Sequence, residues 1–283
     1  MDKGELDIVR RAFAKQIMAA ADVTDERIEA AFAAVPRELF LGPGPWQILR
    51  WFRGYVSTPS DDPVYLYTDH VVAILPERNL NNGEPSLHCR LIASAAPGAG
   101  EHVVHVGAGV GYYTAIFAEL VGPAGRVTAI ELDRGLAERA SNNFSTSRNV
   151  RVVNGDGTRE AFDAADVIYV NAGASRPVAM WLDRLKDAGR LILPLTAKGF
   201  PGGDINGGRI FRIERQGSDF LAKGISRIAI FPCEGARDAA SEAALAKALE
   251  VDRWCEVTRL YRRDDLPAEQ CWLRAPGWCL AYR

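Results

Sequence analysis

Val103-Val104-His105-Val106-Gly107-Ala108-Gly109-Val110-Gly111-Tyr112 is the stretch that decides the fold. An apolar run from His102 to Val106 has strand length, and three alternate glycines follow it. Tyr112 to Val121 then reads as a helix, stopped by Gly122 and Pro123. Glycines at these positions permit backbone angles closed to other residues and let a ligand approach the main chain.

Outward from that stretch the pattern repeats. Arg126 to Leu132, Val150 to Val153, Val167 to Val170 and Leu191 to Leu195 read as strands, with helices from Arg134 to Phe144 and Arg176 to Lys186. Strand–helix alternation with short connections predicts an α/β fold, its mostly parallel sheet covered by helices on both faces. Such sheets bind ligands outside the carboxyl ends of their strands. Upstream, Asp7 to Ala20 is an amphipathic helix, and Thr24 is the expected N-cap of a second helix ended by Pro36. Gly42 to Pro63 reads as loop, whose Trp46, Trp51, Phe52 and Tyr55 are expected to fill the seam between helix and sheet, the alternative being that they line a substrate mouth. Beyond Thr196 the signal turns antiparallel. A Gly-rich turn (Pro201 to Gly208) precedes strands at Arg209 to Glu214 and Phe220 to Phe231. Ser241 to Glu250 is a short helix, and Glu256 to Arg262, Cys271 to Leu273 and Trp278 to Tyr282 form a small β-rich C-terminal extension. The expected division is residues 1–99 as an N-terminal helical and acceptor-side segment, 100–235 as the core, and 236–283 as the extension.

The 283 residues suit one large core without staples. Hydrophobic residues at 48% and charged residues at 25% exclude a disordered chain or a coiled coil. A net charge of −2 supplies no field that would draw the chain onto nucleic acid or an anionic membrane. No apolar run reaches the roughly 18 residues of a membrane span. The N-terminus is charged and lacks the apolar core of a signal peptide, so a cytoplasmic protein is expected. The five cysteines include no C-x-x-C pair, and the four histidines add no second Cys/His pair at ligand spacing beside His88-Cys89. Reduced thiols and no metal site are the expectation. Oligomeric state is not legible.

Glu131 ends the strand after the glycine triplet, where its carboxylate can accept both hydroxyls of a ribose. A dinucleotide fingerprint requires a sixth-position glycine so that pyrophosphate can reach the helix N-terminus. Tyr112 holds that position, a bulky side chain on the path, so a nucleoside without phosphates is favoured. S-adenosyl-L-methionine is such a nucleoside. Gly155-Asp156-Gly157 follows the next strand, where Asp156 can accept from the adenine amino group. Gly107, Gly109, Gly111, Glu131, Leu132, Asp156 and Gly157 are the expected cofactor contacts, flanked by His105, Ala108, Tyr112 and Asn171.

At these residues the sequence resembles the protein-L-isoaspartate (D-aspartate) O-methyltransferases. The glycine loop, Gly155-Asp156-Gly157-Thr158 and the run Leu185 to Leu195 carry the likeness. Asp25-Glu26-Arg27, Val35-Pro36-Arg37-Glu38-Leu39-Phe40 and Phe231-Pro232-Cys233-Glu234-Gly235 extend it from about Val23 to Gly235. The resemblance implies a Rossmann-like, adenosylmethionine-dependent methyltransferase acting on the α-carboxylate of isoaspartyl residues in damaged proteins or peptides. It also implies an acceptor-side loop with a Thr-Ile-Ser-x-Pro motif; Asn81-Asn82-Gly83-Glu84-Pro85 stands there, with Gly83 for the serine. Asn82, Gly83 and His88 are the candidates at the reaction centre. Glu84 adds a charge that would repel a carboxylate if it pointed inward. His105 replaces an acid that normally braces the glycine loop.

No general base is expected, because a carboxylate is already ionised at neutral pH. Rival readings are methylation of a different, small-molecule carboxylate and an adenosylmethionine-binding homologue without the reaction. Nucleic-acid amino-methylation is disfavoured, since Asn171-Ala172-Gly173-Ala174 is not the motif that grips a flipped base. An NAD-dependent dehydrogenase ranks last.

Overall fold

The structure, a computed structural model, describes residues 2–50, 52–199 and 206–283. Trp51 and the first part of the expected Gly-rich turn, residues 201–205, lie outside the described residues. Along the chain come helices α1 (Lys3–Ala21), α2 (Glu26–Ala34) and α3 (Glu38–Leu41), then strands β1 (Gln47–Arg50), β2 (Gly54–Ser57), β3 (Ala73–Leu75) and β4 (Leu80–Asn81). There follow α4 (Pro85–Ala95), β5 (His102–Val106), α5 (Tyr112–Val121), β6 (Arg126–Glu131), α6 (Arg134–Asn143) and β7 (Val150–Asn154). The remainder is β8 (Ala165–Val170), α7 (Ala179–Arg184), β9 (Leu185–Ala197), β10 (Asn206–Gln216), β11 (Asp219–Ile230), α8 (Ala239–Leu249), β12 (Arg259–Tyr261), β13 (Cys271–Ala275) and β14 (Trp278–Ala281).

The chain divides into two compact units. The first takes residues 1–100 and 108–154. Its α1 begins with a capping box: Asp2 accepts from the Glu5 N–H while Glu5 reaches back to the Asp2 N–H. The cap of α2 is Asp25, not Thr24; an Asp25 oxygen accepts from the Arg27 N–H at 3.0 Å. Phe13, Ile17, Ile28 and Phe32 from these helices are buried, and the Phe32 ring meets Tyr112 edge-on. Part of the expected loop from Gly42 to Pro63 is a hairpin, β1 pairing with β2 from Gln47↔Ser57 to Arg50↔Gly54. Its aromatics divide. Trp46 packs with Leu41, Ile48, Leu66 and Val72, whereas Phe52 is fully exposed. Strands β6 and β7 run parallel, from Val127↔Val150 to Glu131↔Asn154. Helix α6 is capped by Asp133, which accepts from the Leu136 N–H.

The second unit takes residues 101–107 and 155–283. Its strands lie in the order β13-β14-β12-β11-β10-β9-β8-β5. Pairs β5/β8 and β8/β9 are parallel. From β9 onward every pair is antiparallel, led by the long β9–β10–β11 ladder. The C-terminal extension continues this sheet: β12 pairs with β11 at Leu260↔Phe220, and β14 and β13 follow. Helix α7 is shorter than periodicity suggested, because Leu185 already pairs with Ala165 and begins β9. Five free cysteines are distributed over the chain, and among the described residues no helix is long and apolar enough to cross a membrane.

Gly208 marks the tightest backbone approach in the second unit. A Cβ there would stand 1.9 Å from the Leu195 carbonyl oxygen and 2.7 Å from the Thr196 Cα, atoms of the partner strand that cannot move aside. Gly208→Ala is therefore expected to lower unfolding stability by about 3 kcal/mol or more, read as a fall in the denaturation midpoint.

Candidate active site

The glycine loop adopts the backbone its sequence calls for: φ is +76° at Gly107, +57° at Gly109 and +94° at Gly111, the left-handed region that favours glycine. Space demands glycine as well, since a Cβ at Gly111 would lie 2.5 Å from the Phe144 ring. Within the first unit, every loop N–H for which a partner is seen already has one inside the protein. Ala108 N–H donates to the Ile130 carbonyl at 3.2 Å and Gly111 N–H to the Ala108 carbonyl at 3.0 Å. Gly109 N–H donates to Glu131 Oε2 at 2.7 Å.

Glu131 sits at the end of β6 and is almost fully buried. Its second oxygen accepts from the Asp133 N–H at 2.9 Å. Burial pushes its carboxyl pKa up, against the lowering effect of those two backbone donors. Each oxygen keeps a lone pair, so acceptance from a ligand hydroxyl remains open. Asn154 Nδ2 donates to the Glu131 carbonyl at 3.0 Å and the Leu132 carbonyl at 3.1 Å, fixing the turn after the strand. Leu132 is half-exposed, an apolar side chain beside a buried carboxylate. The brace that the first strand's missing acid would have given the loop thus comes from Glu131.

Tyr112 requires a correction. Its side chain is turned into the core, at 1% exposure, against Phe32, Phe40 and Tyr113. It does not stand on a ligand's path. Pyrophosphate is disfavoured for a different reason: the Ala108, Gly109 and Gly111 N–H groups already donate within the protein, and a buried carboxylate lies beside them.

The acceptor-side loop also belongs to the first unit. Asn82 N–H donates to the Val72 carbonyl at 2.8 Å, and Asn81 Oδ1 accepts from the Gly83 N–H at 2.9 Å. Asn82 is buried, and among the described residues its Nδ2 has no hydrogen-bond partner. Gly83 has φ +72°, and a Cβ there would be 2.3 Å from His88 Nε2. The imidazole fills the place of a side chain at position 83. His88 itself is a packed residue of α4, stacked on Tyr113 with ring centroids 3.7 Å apart. Glu84 precedes α4, its carboxyl pKa raised by burial and then by the charge of Asp69.

The sequence reading gave no site role to three residues of this region. Arg37 is completely buried between the rings of Phe13 and Tyr112, 5.5 Å from each centroid. It donates to the carbonyls of Leu66 and Thr68. Next along, Asp69 accepts from the Ser86 N–H at 2.8 Å and so holds the first turn of α4. Tyr55 on β2 is hydrogen-bonded to the Asn81 side chain. The sequence signal for Arg37 was its family motif; Asp69 and Tyr55 gave none that distinguishes them from packing residues.

The second unit carries the remaining site candidates. His105 is fully buried in β5, edge-on to Tyr169, and burial pushes its pKa down to about 3, so the imidazole is neutral. Asn171 N–H donates to the Val106 carbonyl, and its Nδ2 to the Gly107 carbonyl at 3.3 Å. Asp156 Oδ1 accepts from the Thr158 N–H and hydroxyl at 2.9 and 2.7 Å. Gly157 is locked from two sides: its carbonyl accepts from Trp181 Nε1 at 2.8 Å, and a Cβ would meet Val106 at 2.4 Å.

A buried carboxylate that accepts from a glycine-loop N–H, in an α/β chain, defines the class of the methyltransferase-like folds. The comparisons agree. The family model of protein-L-isoaspartate(D-aspartate) O-methyltransferase matches residues 10–201. A protein-L-isoaspartate O-methyltransferase of Aeropyrum pernix is 32% identical over 191 residues, 66% of this chain and 66% of that one. A solved protein-L-isoaspartate O-methyltransferase is 26% identical with a TM-score of 0.64, covering 78% of this chain and 65% of its own. A Plasmodium falciparum protein solved in complex with S-adenosyl-L-homocysteine shares the fold at 15% identity and TM-score 0.62, over 79% of this chain and 97% of that one. The chain belongs to the protein-L-isoaspartate(D-aspartate) O-methyltransferase family. Its match spans just under two thirds of the Aeropyrum relative and of the first solved enzyme.

Replacing Glu131 by Ala leaves the buried N–H groups of Gly109 and Asp133 without acceptors. The expected loss is about 2–4 kcal/mol of stability, with faster amide exchange at Gly109, measurable by hydrogen exchange.

Proposed function

We propose that this chain is an S-adenosyl-L-methionine-dependent carboxyl O-methyltransferase whose acceptor is the α-carboxylate of an isoaspartyl residue in a protein or peptide. The single observation that carries the reading is the glycine loop whose Gly109 N–H is held by Glu131: a carboxylate there opposes a phosphate and retains lone pairs for a ribose. That donor set fits an adenosyl sulfonium, since a cation bearing a nucleoside meets a negative wall. In the first unit, Ala108, Gly109, Gly111, Glu131 and Leu132 would hold this cofactor. In the second, Gly107, Asn171, Asp156 and Gly157 carry the family's matching motif residues, with neutral His105 behind them. Tyr112 contributes its place at the start of α5 and not its ring.

The cofactor supplies an activated methyl group. The acceptor carboxylate, with a reference pKa near 4, needs no proton removed before it reacts. What the chain's own residues do is orient the acceptor and exclude water, effects that supply up to about 7–11 kcal/mol in well-aligned systems. Asn82 is the donor for the acceptor: its amide is buried, unsatisfied and beside a position that carries no hydroxyl. Gly83 and His88 shape the wall next to it.

Incubation with radiolabelled adenosylmethionine and an isoaspartyl peptide is expected to yield a base-labile methyl ester. Absence of ester while calorimetry shows bound cofactor would reject the reading, and ester on small carboxylates alone would move the acceptor to another class. An apolar isostere separates Asn82's two roles. Asn82→Leu removes an unsatisfied buried amide and is expected to raise stability by about 1 kcal/mol while raising the acceptor KM roughly tenfold.

A further inference from the structure

The β1–β2 hairpin is anchored at its base to the acceptor-side loop. Trp46 and Thr58 close it with two hydrogen bonds of 3.0 and 2.8 Å. Leu49 N–H donates to the Val71 carbonyl at 2.9 Å, and the neighbouring Val72 carbonyl receives the Asn82 N–H. On the second strand, Tyr55 is hydrogen-bonded to Asn81. The hairpin is thus tied to the residues that face the acceptor.

Its tip is built against the interest of the fold. Phe52 is fully exposed and has φ +66°, a backbone that glycine or asparagine adopts at less cost than an aromatic residue. Arg50 and Arg53 flank it, both exposed, with Arg53 N–H closing the turn onto the Arg50 carbonyl. Arg50 reaches His70 Nε2 at 3.1 Å. Among the described residues neither arginine is paired with a carboxylate. An aromatic ring between two uncompensated cations suits an anionic polypeptide, and the outer edge of β2 pairs with no described strand, leaving main-chain groups for an extended partner.

We propose that the β1–β2 hairpin is a docking arm for the acceptor polypeptide, on which Phe52 and Arg53 grip the chain at a distance from the methylated carboxylate. The inference rests on the carboxyl-methyltransferase reading. Phe52 lies three positions before Tyr55, which is at the acceptor loop. At roughly 3.3 Å per position the reach is at most about 10 Å, so the gripped part lies within about three residues of the isoaspartyl position.

The test compares a tripeptide with isoaspartate at its centre and a fifteen-residue acidic peptide with the same centre, lengths chosen around that roughly three-residue reach. Calorimetric affinity and KM are measured for wild type, Phe52→Gly and Arg53→Glu. The arm predicts that wild type prefers the long peptide and that either substitution cuts this preference about tenfold. It also predicts a thermal midpoint for Phe52→Gly at or above wild type, which separates lost docking from lost folding. Long-peptide affinity that falls no more than tripeptide affinity overturns the arm. So does unchanged peptide affinity with loss of binding to phosphatidylserine vesicles, which would assign the tip to a membrane surface. If wild type forms no ester yet binds the long peptide through Phe52, the arm stands and the methyl-transfer reading falls.

Discussion

A carboxylate taken out of water holds the first unit's loop together. Burial alone would drive Glu131 toward its neutral form, and the rise in its pKa records that cost. Two backbone N–H groups offset it, one from the glycine loop and one from the residue that caps α6. A single side chain therefore joins the end of β6, the loop after β5 and the start of a helix. Asn154 adds a tie from β7 to the same turn. The chemistry follows from this saturation. A loop with three N–H groups used internally and a carboxylate beside them has little to offer an anion, and the remaining lone pairs point to a ligand rich in hydroxyl groups.

The acceptor-side segment depends on a charge of the opposite sign. Arg37 is buried without a carboxylate among its hydrogen-bond partners, held by two carbonyls and two ring faces. Burying a guanidinium is costly unless its donors are used; here one amino nitrogen fixes Leu66 and Thr68, while Nε and the other amino nitrogen are buried with no hydrogen-bond partner among the described residues. The next residue, Asp69, caps α4, which begins immediately after the Asn82-Gly83 loop. The Val-Pro-Arg segment near the N-terminus thus acts at a distance of about fifty residues along the chain, through main-chain carbonyls.

The parts legible from sequence are those fixed by short-range rules. Strand β5, helix α5 and the three left-handed glycines fall where alternation and steric permission put them. The direction of Tyr112 was not legible, because it is decided by Phe32 and Phe40, residues seventy or more positions away. The hairpin at Gln47–Ser57 was hidden by the prolines on either side of it, Pro43, Pro45 and Pro59; Ile48 makes it a strand by burying itself beside Leu41 and Leu66. The last two residues of the helix expected at Arg176 to Lys186 yield to pairing of Leu185 with Ala165, a contact between segments twenty residues apart. For the site, the sequence displays the Glu131 carboxylate but not which N–H groups it accepts, so its bracing role emerges only from the folded chain.

The contact between Gly83 and His88 couples the two positions sterically. A serine cannot enter position 83 while the imidazole fills its place, and a smaller residue at position 88 opens a void beside Tyr113 unless position 83 grows. Restoring a hydroxyl to this loop by substitution therefore requires both positions to be changed in one variant.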